Sequence, residues 1–542
     1  MKNRFMKKAA AIALAAVMGT TAASSAVMAS CTSFTECGKT HIAEKSAEIA
    51  AGWDEFLTAY KTALNEDSGA QADYYITLGD GAKQLISMFT GFDLSWFQSV
   101  EMVQVESMSV TNNKMYAEFE ILLNDTSLAT LNFLMDLETS VAYMQVPEIS
   151  ESWFMVDYNV IMQQAGADMG ISIGQMVDII KSIIASLPDG TTLTNLMNRY
   201  FGIVYDHANN VEPTTATLTA GGISEEVTVL GATYGVAEIG NMMIDLISTF
   251  KEDEEIKGIV ENITGLFGEA GAGIYEQIIS SMDQLSADIT ESLGDLSALP
   301  SDAMTCELYE NADDEVIGAL VNLDVENQSG GFCFYTTDDG EQKGLQIEGM
   351  FEDYYVSLSG TGAETDGLFD GTYTLSLNDT AIAQINVYDS ALYENDDTVF
   401  SCCEISILPQ EAPQAEEGAE NAYDPMAQVR QVLNMLSSYS LLIAADKNTS
   451  FEHQDILISA FSGGTELASI SVMVDVSEGP AIPDVASLGT IVDINDQSNM
   501  ENVQADLMNN LPALLEKLTS AGVPQELINS VMGVESAEEP VA

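Results

Sequence analysis

Chemistry in this chain would have to come from a few groups of residues. Gly170-Ile-Ser-Ile-Gly174 spells G-x-S-x-G, the pattern that places a nucleophilic serine on a sharp strand-to-helix turn in hydrolases. That use needs a strand before the motif, an oxyanion-hole segment and a histidine base. Here residues 163–170 are polar and glycine-bearing, no H-G-G-G segment exists, and only His207 and His453 follow. The motif therefore reads as a loop leading into a helix, with Ser172 or Gly170 near the N-cap. Gly271-Ala-Gly273 and Gly360-Thr-Gly362 lack the third glycine of a dinucleotide loop, and there is no P-loop lysine. Asp313-Asp314-Glu315, Asp338-Asp339 and Asp396-Asp397 lack the spacing of an EF-hand and read as solvated turns. Among 84 acidic residues, a carboxylate pair at glycosidase spacing carries no information. His41, His207 and His453 are too scattered for zinc, and Cys31, Cys37, Cys306, Cys333, Cys402 and Cys403 form no C-x-x-C pair. Cys306 and Cys333 lie in neighbouring strand-like runs, and both a disulfide and two buried thiols stay open. The expectation is a non-enzyme with no catalytic residue, no metal and no cofactor.

The charge restricts partners. With 84 acidic and 17 basic residues the net charge is −67, which repels phosphate backbones and anionic headgroups and excludes nucleic-acid binding. Hydrophobic residues make up 46% of the chain, enough for a packed core. Lys2, Arg4, Lys7 and Lys8, an apolar run over 9–18 and the small residues after Gly19 form a bacterial secretory signal over 1–30. No later run reaches the roughly 18 apolar residues of a membrane-spanning helix. Val27-Met28-Ala29-Ser30-Cys31 resembles the lipobox of bacterial lipoproteins, which implies a lipid anchor on Cys31 and residence at the cell membrane. Cleavage after Ala29, with Val27 and Ala29 as the small pair, is the alternative and implies plain secretion.

The elements that would hold an apolar ligand are clearer. Met115, Ala117, Phe119, Ile121 and Leu123 alternate with Tyr116, Glu118, Glu120 and Asn124, the period of a half-buried strand. Asn124-Asp125 turns the chain, and Ala129, Leu131, Phe133, Met135 and Leu137 form the apolar face of the next strand. Shorter strands over 141–146 and 153–158 complete an antiparallel meander. Leu123-Asn-Asp-Thr-Ser-Leu-Ala-Thr-Leu-Asn132 recurs as Leu377-Asn-Asp-Thr-Ala-Ile-Ala-Gln-Ile-Asn386, and more faintly as Ser462-Gly-Gly-Thr-Glu-Leu-Ala-Ser-Ile-Ser471, so a sheet module is duplicated. Helices are expected over 42–64, 173–186, 191–207, 236–266 with a break at 252–255, and 274–296. The helix over 42–64 would bury Ile49, Trp53, Phe56, Leu57, Tyr60 and Leu64. Strands return over 304–408, an acidic linker with prolines occupies 409–425, and a helix over 426–436, strands between 439 and 494, a helix over 500–518 and a last short helix close the chain. Of 26 methionines, several, including Met242 and Met282, fall in the helical segment, where thioethers suit either core gaps or varied apolar partners.

The expected fold is α+β: one or two large curved antiparallel sheets from two related halves, with the helical segment on the apolar face. The expected organisation is a tether over 31–41, a first sheet with helices over 42–300, a second sheet over 301–408, the linker, and a C-terminal part over 426–535. The D-L-x-x-x-x-A-Y-M-Q-V-P-E-I-S run within 131–156, Thr219-Ala-Gly-Gly-Ile-Ser224, Lys251-Glu-Asp-Glu-Glu-Ile-Lys257 and the A-G-V-P-x-E-L run ending at Leu527 together resemble an uncharacterised family of bacterial extracytoplasmic proteins, many of them lipoproteins, with a domain of unknown function. In architecture the sheet portion resembles the half-barrel of LolA-like carriers, which implies an apolar ligand, a lipid or a lipoprotein, facing Phe119, Leu131, Phe133, Met135, Met242 and Met282. The alternative is a non-catalytic surface protein with a fully packed interior that meets protein partners.

Overall fold

The computed structural model describes residues 31–164, 173–266, 271, 273–293, 302–325, 328–351, 354–394, 398–410, 427–448, 452–496 and 499–531. The signal segment, the Gly170–Ser172 part of the G-x-S-x-G motif and most of the acidic linker lie outside them. Along the chain the elements are α1 (Phe34–Asn65), β1 (Ser68–Leu78), α2 (Asp80–Thr90), β2 (Ser99–Ser109), β3 (Lys114–Leu123), β4 (Thr126–Asp136), β5 (Val141–Gln145), β6 (Trp153–Asp157), α3 (Tyr158–Gln164), α4 (Ile173–Ser186) and α5 (Gly190–Asp206). There follow β7 (Asn209–Asn210), β8 (Thr214–Ala220), β9 (Ile223–Tyr234), α6 (Val236–Glu252), α7 (Glu254–Gly265), α8 (Ile274–Leu293), β10 (Met304–Glu310), β11 (Val316–Val325), β12 (Gln328–Asp338), β13 (Lys343–Phe351), β14 (Tyr354–Thr365), β15 (Leu368–Leu377), β16 (Thr380–Glu394) and β17 (Thr398–Pro409). The last are α9 (Ala427–Leu436), β18 (Tyr439–Asn448), β19 (His453–Ser462), β20 (Thr465–Ser477), β21 (Ile491–Asp493), α10 (Met500–Ser520) and α11 (Gln525–Val531). Among the described residues 21 strands join in a large, mostly antiparallel, unclosed sheet, so the protein is α+β as its pattern requires.

The repeated hairpin is a structural repeat as well. A two-residue hairpin turn that matches strand twist needs positive φ at both central residues. Asn124 and Asp125 have φ of 48° and 60°, Asn378 and Asp379 again 48° and 60°, and Gly463 and Gly464 58° and 77°. The faint third copy shares a further feature. Its ladder is bulged between Ala460 and Phe461, and the first copy is bulged at the same offset from the turn, between Ile121 and Leu122. Asn124 Oδ1 accepts from the backbone N–H of Gln98 (2.6 Å) and Ser99 (3.2 Å), while its Nδ2 donates to the carbonyls of Trp96 (2.9 Å) and Ala521 (2.6 Å). Among the described residues, the equivalent Asn378 Oδ1 accepts from Tyr355 N–H at 2.8 Å. Asn124→Ala is expected to cost roughly 2–3 kcal/mol, through the left-handed backbone and the lost hydrogen bonds, and Asn378→Ala roughly half as much. Urea unfolding of the two variants checks the order.

The described residues fall into two compact units, each entered three times by the chain: within 31–58, 182–388 and 407–437 for the first, and within 59–181, 389–406 and 438–531 for the second. This differs from the sequential partition the sequence suggests, because strands far apart in sequence share a ladder. In the first unit β8 to β15 pair in chain order. One face of β9, β10 and β11 carries Leu230, Ala232, Tyr234, Met304, Cys306, Leu308, Ala319 and Val321, covered by α1, α5, α6 and α8. Burying each of the larger apolar side chains there contributes about 1.5–3 kcal/mol. On the other face Val227, Val229, Tyr309 and Cys333 pack together, and the sheet rolls until Tyr335 Oη donates to Thr219 O at 3.1 Å.

Residues 31–41 are not a tether. Helix α1 begins at Phe34, eight residues before the expected start, and Gly38 lets it close on Tyr205, whose ring atoms stand 2.1 Å from where a Cβ would lie. That contact sets the buried face of α1. It runs through Phe34, Cys37, Ile42, Ala50 and Leu57, leaving Ile49 and Phe56 about half exposed at 48% and 51%.

In the second unit the ladder runs β17, β18, β19, β20, β1, β2, β3, β4, β5, β6 and β21, the last pair parallel. Phe119 stands opposite Leu131 and Ala117 opposite Phe133, so the apolar residues of the first hairpin share a face as expected. Their cover differs from expectation. The helices of the 190–293 region pack on β9 to β11 of the first unit, which their own chain neighbours supply. The meander is closed at one end by Tyr158 and Ile173, and α10 and α11 pack Leu515, Leu518 and Ile528 near Leu123 and Leu128. Tyr116 and Leu134, on the face expected to be exposed, are buried with Trp153 and Leu488 because the segment before β21 crosses them.

Candidate functional site

Register places a continuous apolar surface on one face of the second unit. Ile443 pairs with Ile458, Ile458 with Ile470, Ile470 with Ile76, and Ile76 with Val100. A second row runs Ala445, Ile456, Val472, Tyr74, Met102, Ile121 and Ala129. Side chains of a strand alternate between faces, so aligned apolar periods in successive strands add up to rows. Neither row contains a charge. The isoleucines are uncovered for residues inside a sheet: Ile443 41%, Ile456 43%, Ile458 39%, Ile470 48%, Ile76 41% and Ile121 40% exposed. Contiguous exposed apolar side chains of this kind mark interaction sites.

Phe119 and Leu131 extend this face and are half-buried, whereas Phe133, also half-buried, packs against the cluster of Met135, Leu137, Ala142 and Val156. Met135 is buried, 4% exposed, against Leu137, Ala142 and Val156. Met242 is fully buried and Met282 partly buried in the helix-covered core of the first unit, where they fill the space between α6, α8 and the sheet. Of the six residues expected to face a ligand, Phe119 and Leu131 thus join the open surface, and Phe133, Met135, Met242 and Met282 belong to packed regions. Ile76, Val100, Met102, Ile443, Ile456, Ile458 and Ile470 are not among those six. Their signal is present as alternation in 441–445, 456–460 and 470–474, but only pairing shows that the periods share a face.

The opposite face carries several acids. Asp73, Glu101 and Glu120 lie on β1, β2 and β3 out of phase with the rows, and partial burial, then the nearby charges of Asp73, Asp125 and Glu120, pushes the Glu101 carboxyl up. Helix α2 leaves β1 at Gly79, packs on β20, and exposes Met88 and Phe89 at 74% and 88%. Two pockets in the first unit are of another kind. One of about 320 Å³ is lined by Lys39, Asn198, Arg199 and Asp206, and one of about 420 Å³ by Thr215, Thr217, Glu226 and Asn311, each with a few apolar neighbours.

Cys31 is 8% exposed in the first unit, beside Cys37 at 0% and Glu310 at 3%. Cys306 and Cys333 are both thiols, and a disulfide between them is excluded by register. Cys306 pairs with Val321 while Cys333 pairs with Leu320, so they stand two strands apart on opposite faces.

The class that fold and site define is an α+β protein built on a large antiparallel sheet with an open apolar face. No family model and no curated protein matches the chain. Among solved structures, the TodX monoaromatic hydrocarbon channel, as a deltaS2 mutant, aligns with 77% of this chain and 90% of its own at 7% identity, with a TM-score of 0.11, and that likeness carries no argument. Among the described residues no helix is long and apolar enough to cross a membrane.

Proposed function

We propose that this is an extracytoplasmic binding protein that shelters an extended apolar ligand of the acyl-chain class on the open face of the second unit. The observation that carries the reading is the pair of uncharged rows with isoleucines about 40% exposed across adjoining strands. Backbone groups inside a paired sheet are already bonded to their neighbours, so this surface offers a ligand almost no hydrogen bonds. An acyl chain needs none. The row from Ile443 to Val100 crosses five strands spaced 4.7–4.9 Å apart, or roughly 19 Å, comparable to a long acyl chain. The net charge of −67 opposes docking of the whole protein on an anionic bilayer, which favours uptake of single molecules over adsorption. Placement outside the cell rests on the N-terminal signal pattern, and the lipoprotein-family and LolA-like resemblances are in keeping with it.

The test is native mass spectrometry with organic extraction of protein purified without detergent, together with titration by a fluorescent fatty acid. Covalent lipid is read separately from the intact mass of the denatured chain. A co-purifying lipid near one per chain, or saturable probe binding, is expected. A bare protein with no saturable binding would overturn the proposal and leave a protein partner as the occupant of the face.

A further inference from the structure

The buried trio of Cys31, Cys37 and Glu310 plays no part in ligand binding on the second unit. The ligand-type atoms of the three residues lie within 4.8 Å of one another. Cys31 N–H donates to Glu310 Oε1 at 3.1 Å, across 279 residues of sequence. Glu310 ends β10 on its helix-covered face, and Cys31 and Cys37 belong to the core that contains Phe34, Ile42 and Tyr205. Cys31 stands three residues before α1 and Cys37 one turn inside it, and the bond from Cys31 N–H to Glu310 holds the segment before the helix against β10.

We infer that Cys31 and Cys37 form a disulfide that pins the first turn of α1 to the chain segment held by Glu310. A disulfide needs its sulfurs about 2.05 Å apart; in the structure both are thiols, within 4.8 Å of each other. A metal fits less well. Structural zinc takes four ligands, and three are brought together here among the described residues, in apolar surroundings. Burial, then the bond from the Cys31 side and the Glu310 charge, pushes the Cys37 thiol far up, so in the folded protein neither a thiolate ligand nor a reactive nucleophile is favoured. Oxidation therefore belongs to folding, before the pair is enclosed. Each sulfur gives up one proton and one electron to a disulfide oxidant, here oxidised glutathione, which leaves as two glutathione thiols while one S–S bond forms in the protein.

The full chain, reduced and then refolded with oxidised glutathione, is denatured, alkylated and digested. The peptide containing Cys31 and Cys37 is expected about 2 Da below its dithiol mass, unalkylated until reductant is added, with Cys306 and Cys333 alkylated throughout. Folded protein that is first reduced and kept folded should form the bond far more slowly than refolding protein. Because the oxidant is supplied, the result does not depend on where the protein resides. Alkylation of both residues after refolding, or glutathione attached separately to each, would overturn the inference. So would stoichiometric zinc with both thiols reduced, or a thioether-linked lipid on Cys31 in protein from its own cells.

Discussion

Asp253→Ala is expected to lower unfolding free energy by about 2–3 kcal/mol, from the lost N-cap and the lost charge-assisted hydrogen bonds of a carboxylate that is itself buried. Asp253 is 5% exposed and caps α7, accepting from the N–H groups of Glu255 (3.0 Å) and Ile256 (3.2 Å). It also takes the Arg199 guanidinium and the Tyr200 hydroxyl, the latter at 3.0 Å, while the second arm of Arg199 reaches Glu255 at 2.7 Å. The joint between α6 and α7 depends on this carboxylate. Asp253→Asn keeps the capping acceptor and loses the charge, so about half the effect should remain. Burial alone would raise the Asp253 carboxyl, but the bonds from Arg199, Ile256 and Tyr200 outweigh it and hold the group below the usual carboxylate range. A carboxyl depressed in the folded state stabilises above its unfolded value and loses that contribution as pH falls through its folded value. The gap between wild type and Asp253→Asn in urea unfolding should therefore be full near neutral pH and shrink on going below about pH 4. A gap that widens with acidification would show that the carboxylate does not pair as described.

Local rules made some of this structure legible and long-range packing hid the rest. The Asn-Asp and Gly-Gly turns announced their hairpins because few residues tolerate positive φ at two successive positions. The α6–α7 break was visible because Asp253, among acidic neighbours, is a natural N-cap. Burial was another matter. Phe119 and Tyr116 sit on opposite faces of one strand, and alternation says so, but which face receives cover depends on Leu488 and Ile528, hundreds of residues away. The same limit hid the thiol pair. Cys31 and Cys37 match no spacing motif, and their environment is completed by Glu310. Methionine was ambiguous for a chemical reason: a flexible thioether serves core and ligand surface alike, and Met242 proved to be core.

Ile470→Asp is expected to reduce affinity for a fluorescent fatty acid at least tenfold while changing folding stability by no more than about 1 kcal/mol. Ile470 lies mid-row between Ile458 and Ile76 and is 48% exposed, so the free protein already solvates much of this position and can accept a carboxylate there. The complex cannot. An acyl chain laid across the row would have to desolvate the charge or detour around it, and losing contact for two methylenes alone is worth about 1.6 kcal/mol, more than a factor of ten. The neighbouring Ser471 faces the other side of β20, opposite Tyr75 and Leu457, so Ser471→Asp adds the same charge to the same strand without touching the rows. Its binding should stay within about twofold of wild type. Equal losses in the two variants would point to a general effect of charge on the strand, and an unchanged affinity in Ile470→Asp would place the ligand, if one binds, away from this face.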